Sequence, residues 1–401
     1  MPLRVPESFR AALCGLALAA LLVPHATVAE PSMREAPGGS LPDLPPSLHG
    51  APIALMIDLG SGRVLFSRDP DRRFMPASLT KLMTIYTAFE MLQEGTLQPE
   101  QRMPVSDAAF HDWARKGSSM FLARGTSASV DDLLRAIPTV SANDGCIVLA
   151  EGAAGSVAAF TDLMNAKARE LGMNDSHFGT PNGWPDEGRT FTTAHDLTVL
   201  AQALITRHPR KYRRYFSIPE FTWSEITQKN RNPILGVVKG ADGLKTGFTN
   251  EAGYGFVGSA ERGGRRVIMV IAGTESAQAR KRIARDFITW AFDAWQASRL
   301  YGGGDTVAEV AVQGGADRHL PLRTDRPVFA TVPKGAVTGA RISVRYLGPA
   351  EAPIKEGEQV ASLVIDTKDG GRSSVPLTAT HDVAKANWWQ RIRNGLFALV
   401  P

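Results

Sequence analysis

Three short strings carry side chains that could act together on a carbonyl: Ser78-Leu79-Thr80-Lys81, Ser141-Ala142-Asn143 and Lys245-Thr246-Gly247. Apolar residues begin to recur at Leu79, Leu82, Met83, Tyr86 and Phe89, a helical period. Ser78 and Lys81 would then be neighbours on a helix, with about 5–6 Å between their Cβ atoms. A neutral lysine amine beside a hydroxyl is a base attached to its nucleophile. Taken singly, each string has an ordinary explanation. Ser78 could cap a helix while Lys81 sits in solvent, S-A-N is turn chemistry, and K-T-G is a strand containing a glycine. Each occurs once, in this order, within one apparent domain, and their company is what points to catalysis.

Elements must bring the strings together. "DGLKTGFTN", "AGYGFVGSAE" and "RRVIMVIAGT" read as strands, the last two joined by a turn at Gly263-Gly264. Far upstream, "APIALMIDLGSGRVLFSRDP" gives two apolar runs around Gly60-Ser61-Gly62, a hairpin signal. Between Ser78 and about Arg207 helical periods dominate, and "QARKRIARDFITWAFDAW" closes the region as a helix. Residues 50–298 are therefore expected to form an α+β domain, a mostly antiparallel sheet packed against a helical cluster. A small all-β domain without a catalytic constellation is expected over 299–385. There "ARISVRYLG" alternates, with Ile342, Val344 and Tyr346 on one face of a half-buried strand, and "QVASLVIDTKDGGRSSVPL" reads as a hairpin.

The ends differ from both domains. Residues 1–29 read as an export signal: Arg4 and Arg10 precede the apolar run Ala11–Val23, and "ATVAE" supplies small residues for cleavage. Residues 30–49 are rich in Pro, Gly and Ser and read as a linker. In 386–401, Trp388, Trp389, Ile392, Leu396, Leu399 and Val400 fall within an arc of about 120° on a helical wheel. Such a helix is too short to span a bilayer and suits the bilayer interface; docking onto the β domain or a partner is the other reading. Cys14 lies inside the signal, so Cys146 is alone in the exported chain and reads as buried packing. Hydrophobic residues at 43% and charged ones at 21% exclude global disorder. No basic run with interleaved aromatics suggests a nucleic-acid partner, and no H-E-x-x-H or C-x-x-C suggests a metal. No cofactor is expected.

On "PASLTKLMT", "GSSMFL", "SANDGCIVLAEGAAGS", "TTAHDLTVLAQALI" and "DGLKTGFTNEAGYGFVGSA", the chain resembles the low-molecular-mass penicillin-binding proteins that are D-alanyl-D-alanine carboxypeptidases. The resemblance runs from about Pro52 through the C-terminal helix. It implies a periplasmic enzyme held peripherally on the outer face of the cytoplasmic membrane through that helix. It implies peptidoglycan stem peptide as substrate and β-lactams as covalent inhibitors. Ser78 would form the acyl-enzyme, Lys81 would act as its base, and Ser141 would relay a proton to the leaving amine. Asn143 would hold a substrate amide, and Lys245 and Thr246 the terminal carboxylate, with Lys245 also lowering the pKa of Lys81. Gly247 would let substrate backbone lie along the strand. The backbone N–H groups of Ser78 and Phe248 would meet the oxyanion, and Arg231 and Arg280 would shape the carboxylate end. Phe248 and Asn182 stand where some relatives have histidine.

Three other functions share parts of this pattern. A β-lactamase needs a carboxylate to activate water, for which "ELGMN" at Glu170–Asn174 is a superficial candidate; a helix end followed by Gly172 explains it as well. A D,D-endopeptidase uses the same machinery on cross-links. A non-catalytic penicillin sensor should carry spanning helices, which the sequence does not show.

Overall fold

The structure is a computed structural model that describes residues 42–390. The export signal, residues 30–41 of the linker and residues 391–401 of the C-terminal helix lie outside the described residues.

The "IALMI" run is continuous rather than alternating because its strand is covered on both faces. β1 (Ile53–Asp58) turns into β2 (Arg63–Arg68). The chain then passes through α1 (Lys81–Glu94), α2 (Val130–Val140), α3 (Asn143–Ala154), α4 (Val157–Glu170), α5 (Ala194–Arg207) and α6 (Pro209–Phe216). It returns as β3 (Ala241–Thr249), β4 (Gly253–Arg262) and β5 (Arg265–Thr274), followed by α7 (Ala277–Asp293). The five strands form one antiparallel sheet in the order β2-β1-β5-β4-β3, so the two ends of the domain meet where β1 pairs with β5. Ile53, Leu55 and Ile57 point into the core shared with helices α1 to α6. Ala54 and Met56 point the other way, onto Phe287, Ile288 and Ala291 of α7. The expected architecture, an antiparallel sheet with a helical cluster, is the one observed.

Helix starts follow a simple local rule. Ser129, Ser156, Thr193 and Ser276 each accept a hydrogen bond from the backbone N–H three residues on, filling one of the donors that every helix start leaves unpaired.

Part of the expected linker is not a linker. Leu48 is buried in the core beneath α7, Ser47 donates to Asp286 at 2.6 Å, and the Trp290 indole donates to the Asp43 carbonyl at 2.8 Å. Its Pro-rich composition masked one buried leucine.

The second domain begins earlier than composition suggested. β6 (Trp295–Tyr301) pairs with β9 (Val328–Pro333), so the break falls just after α7 rather than at residue 299. β7 (Thr306–Gln313), β8 (His319–Arg323), β10 (Ala340–Tyr346), β11 (Ala350–Glu351), β12 (Gln359–Thr367) and β13 (Arg372–Ala379) form a six-stranded sheet in the order β10-β12-β13-β8-β7-β11. β10 is an edge strand, and Ile342 and Tyr346 remain 36% and 41% exposed, so the half-buried face read from its alternation is largely open. At the far end Asn387 and Gln390 exchange side-chain and backbone hydrogen bonds, a capping box that starts a helix at Trp388, and Trp388 and Trp389 are stacked and exposed.

The two domains are joined through the β1–β2 turn. The Asp58 carboxylate, wholly buried, accepts from the Gly60 and Ser61 N–H groups, from Arg265 at 2.6 Å and from Thr331 of β9 at 3.0 Å. Arg63 donates to the Thr331 carbonyl at 2.7 Å and pairs with Asp369 at 2.7 Å. Removing one partner of a buried, hydrogen-bonded ion pair strands the other. Asp58→Ala is therefore expected to lower unfolding free energy by about 3–5 kcal/mol, read as a fall in the urea midpoint.

Candidate active site

Ser78 sits on a single 3-10 turn, Ala77–Thr80, that leads into α1 at Lys81. Ala77 takes φ +49°, a strained value for a residue with a side chain, and Leu79 N–H closes the turn on the Pro76 carbonyl at 3.0 Å. Glycines hold this turn on two sides. A Cβ on Gly247 would lie 2.7 Å from the Pro76 carbonyl oxygen and 3.0 Å from Leu79 Cγ. Gly255, the residue paired with Gly247, would meet the tip of Leu79. On the other side, a Cβ on Gly183 would lie 1.8 Å from the Ala77 carbonyl oxygen. Within the turn only Ser78 reaches solvent. The glycine of K-T-G thus has a reason other than the one read from the sequence: it admits the nucleophile turn against the sheet.

One turn of chain places the amine where it was expected. Lys81 Nζ lies 2.8 Å from Ser78 Oγ, 2.8 Å from Asn143 Oδ1 and 2.6 Å from the Asn182 carbonyl oxygen. An ammonium donates to all three. A neutral amine keeps two N–H bonds for Asn143 and Asn182 and turns its lone pair to the Ser78 hydroxyl, so the same geometry serves both protonation states. Lys81 is fully buried, and this burial, with the Arg231 charge adding to it, pulls its pKa down to about 8. Lys245 lies well below the ordinary lysine range, from burial first and then from the charges of Lys81, Arg231 and Arg280. The sequence reading had Lys245 acting on Lys81. The structure puts burial first for both lysines, and because repulsion between two nearby ammonium groups is mutual, each disfavours the charge of the other.

Ser141 and Asn143 stand where α2 gives way to α3. Ser141 ends α2 in the left-handed region at φ +63° and is buried. Its hydroxyl makes no hydrogen bond among the described residues. Asn143 opens α3, and its amide accepts from Lys81 and donates to the Lys116 carbonyl at 2.9 Å, so the side chain expected to hold substrate also holds the base. On the third string, Lys245 donates to the Thr246 carbonyl at 3.0 Å and both residues are buried. Phe248 is 45% exposed and stacks on Tyr254. Arg280 lies over the same tyrosine and donates to the Gly247 carbonyl at 3.2 Å, while Arg231 donates to the Ser118 hydroxyl. All ten sequence-selected residues thus belong to one neighbourhood of α1, the α2–α3 junction and β3.

A family model described as D-alanyl-D-alanine carboxypeptidase matches residues 43–276, and one described as the C-terminal domain of penicillin-binding protein 5 matches 295–385. The D-alanyl-D-alanine carboxypeptidase DacA of Escherichia coli (strain K12) is 32% identical over 346 residues, covering 84% of this chain and 85% of that protein. Penicillin binding protein 5 from Haemophilus influenzae superposes with a TM-score of 0.69 at 29% identity, covering 87% of this chain and all of the other. Penicillin-Binding Protein D2 from Listeria monocytogenes, in its ampicillin-bound form, covers 63% of this chain and 100% of its own, with a TM-score of 0.56 at 32% identity.

The chain belongs to the D-alanyl-D-alanine carboxypeptidase family.

Several features of this family member were not legible beforehand. Asp144, next to the asparagine of S-A-N, accepts from Ser119 Oγ and from the backbone N–H groups of Met120, Leu122 and Gly145, and so pins the "GSSMFL" loop. Its adjacency to the motif was the only signal. The Asn182 carbonyl and Gly183 act through backbone and through lack of a side chain. Two further residues, Glu170 and Cys146, lie outside the chemistry. Glu170 ends α4, pairs with Lys167 at 3.2 Å and precedes Gly172 at φ +76°. Cys146 is buried inside α3 with its thiol pushed up to about 12 by burial, so it is inert packing. Among the described residues no cluster of His, Cys, Asp or Glu could hold a metal, and no single helix is long and apolar enough to cross a membrane.

Proposed function

We propose that this protein is a serine-type D-alanyl-D-alanine carboxypeptidase that removes the terminal D-alanine of peptidoglycan stem pentapeptides. The observation that carries the reading is the 2.8 Å contact between Ser78 Oγ and a buried Lys81 amine. Neutral Lys81 takes the hydroxyl proton as Ser78 Oγ attacks the carbonyl between the two D-alanines. The oxyanion is met by the backbone N–H groups of Ser78 and Phe248. Collapse breaks the C–N bond, the departing D-alanine amine receives the proton by way of Ser141, and an ester remains on Ser78. Water then hydrolyses that ester. Arg231 and Arg280, with Lys245 in its protonated form, supply the positive end that attracts the terminal carboxylate, and the Thr246 hydroxyl can donate to it. A β-lactam ring presents an equivalent amide and acylates the same serine. The export signal and the amphipathic C-terminal helix read from the sequence support a periplasmic enzyme attached to the outer face of the cytoplasmic membrane.

The test is incubation with a pentapeptide ending in D-alanyl-D-alanine: free D-alanine should accumulate, and a C-terminal amide of the same peptide should react poorly. Cleavage confined to cross-linked dimers would reassign the enzyme as an endopeptidase. Turnover of a chromogenic cephalosporin with no release of D-alanine would reassign it as a β-lactamase.

The Lys81 environment sets the pH dependence. The neutral amine is the active form, so acylation should rise with pH through about 8. Between pH 7 and a plateau above pH 9 the gain should be roughly tenfold, measured as the second-order rate of labelling by a fluorescent penicillin.

A further inference from the structure

A cleft of about 620 Å³ lies between the domains, between α5 and α6 on one side and the second domain on the other, with a smaller cavity of about 100 Å³ beside it. None of its lining residues belongs to the active site. Arg207, Arg213, Arg266 and Arg326 line it, against only two carboxylates, Glu261 and Asp325. The carboxylates are already engaged: Glu261 pairs with Arg266 at 2.6 Å, and Asp325 takes Arg323 at 3.6 Å and the Thr378 hydroxyl at 2.9 Å. Arg266 is in turn satisfied by Asp242 at 2.7 Å.

Two of the other three arginines feel carboxylates at longer range, Arg326 those of Asp325 and Asp58 and Arg207 that of Glu90. Among the described residues the guanidinium groups of Arg213 and Arg326 make no hydrogen bond or ion pair, and Arg207 makes one, to the neutral Tyr86 hydroxyl at 3.3 Å. Gln359 lines both cavities with Arg326, and its Nε2 is buried without an acceptor. A donor removed from water and left unpaired is costly, so the Gln359 amide, in a concave site also lined by arginines, is a standing demand for an acceptor. We propose that this interdomain cleft binds an oxyanion, the phosphate or carboxylate of a ligand larger than a simple ion, with Arg326 and Gln359 as its inner donors and Arg213 and Arg207 at the rim. Planar guanidinium groups suit either anion. Burial lowers the Arg326 pKa to about 10 against the opposing pull of Asp325 and Asp58. The site is independent of the carboxypeptidase reading.

The experiment titrates the full exported chain with inorganic phosphate and, separately, with succinate, replacing chloride at constant ionic strength. Calorimetry and the melting temperature are the readouts. Saturable binding of either anion is expected, with a melting temperature that rises with ligand concentration. A response to phosphate alone assigns phosphoryl-bearing ligands, and a response to succinate alone assigns carboxylates. Arg326→Gln should weaken binding about tenfold or more, and Arg213→Gln by a smaller factor, with penicillin labelling of Ser78 unchanged in both. Arg213 is at the surface, so its variant tests the site even if Arg326→Gln fails to fold. No response beyond chloride, or native affinity in Arg213→Gln together with native affinity or misfolding in Arg326→Gln, would overturn the proposal.

Discussion

A Lys81→Met protein is expected to react with a fluorescent penicillin at least about 10³-fold more slowly than the native chain, close to the complete loss expected for Ser78→Ala. Methionine fills much of the lysine volume but has no lone pair basic enough to take the serine proton. Its fold should survive. The change strands two acceptors, Asn143 Oδ1 and the Asn182 carbonyl, at about 1–3 kcal/mol each, but it also removes an amine whose burial is itself unfavourable. The melting temperature therefore separates the two explanations for lost labelling. A variant that melts near the native temperature and still labels at the native rate would place the base elsewhere.

The second large effect belongs to a residue with no side chain. Gly183→Ala should slow acylation about 10²-fold or more. A Cβ there would sit 1.8 Å from the Ala77 carbonyl oxygen, and because the obstacle is main chain, the nucleophile turn must retreat by more than an ångström. A misplacement of that size at a reacting group typically costs about two orders of magnitude. Gly183 is also at φ +71°, where any side chain is strained, so a control is needed. Gly188 supplies it: its φ is +81° and nothing lies within 4 Å of its would-be Cβ. Gly188→Ala should share the conformational cost without the collision, losing some stability while labelling at close to the native rate. If both variants label equally, the wedge between Gly183 and Ala77 does not position Ser78.

These two expectations divide along the line between what was legible in the sequence and what was not. Ser78, Lys81, Ser141, Asn143 and Lys245 announce themselves because their side chains have distinctive chemistry and fixed spacing. The helices were equally readable from their apolar periods, and the structure adds the hydroxyls of Ser129, Ser156, Thr193 and Ser276 at their starts. The Asn182 carbonyl could not be read, because every residue has one and only the fold decides which faces Lys81. A second role of Gly247 was invisible for a related reason: the turn it admits lies some 170 residues upstream, and local pattern reports nothing about distant neighbours. β10 erred in the opposite sense. Its alternation was real, but alternation gives two faces without saying that anything covers the apolar one.

The β1–β2 turn, gripped by Thr331 and Asp369 of the following domain, has a mechanical corollary. A change at that joint is shared by both domains, so loss of the Asp58 or Arg63 side chain should disturb the β1–β2 edge of the catalytic sheet and β9 of the following domain together.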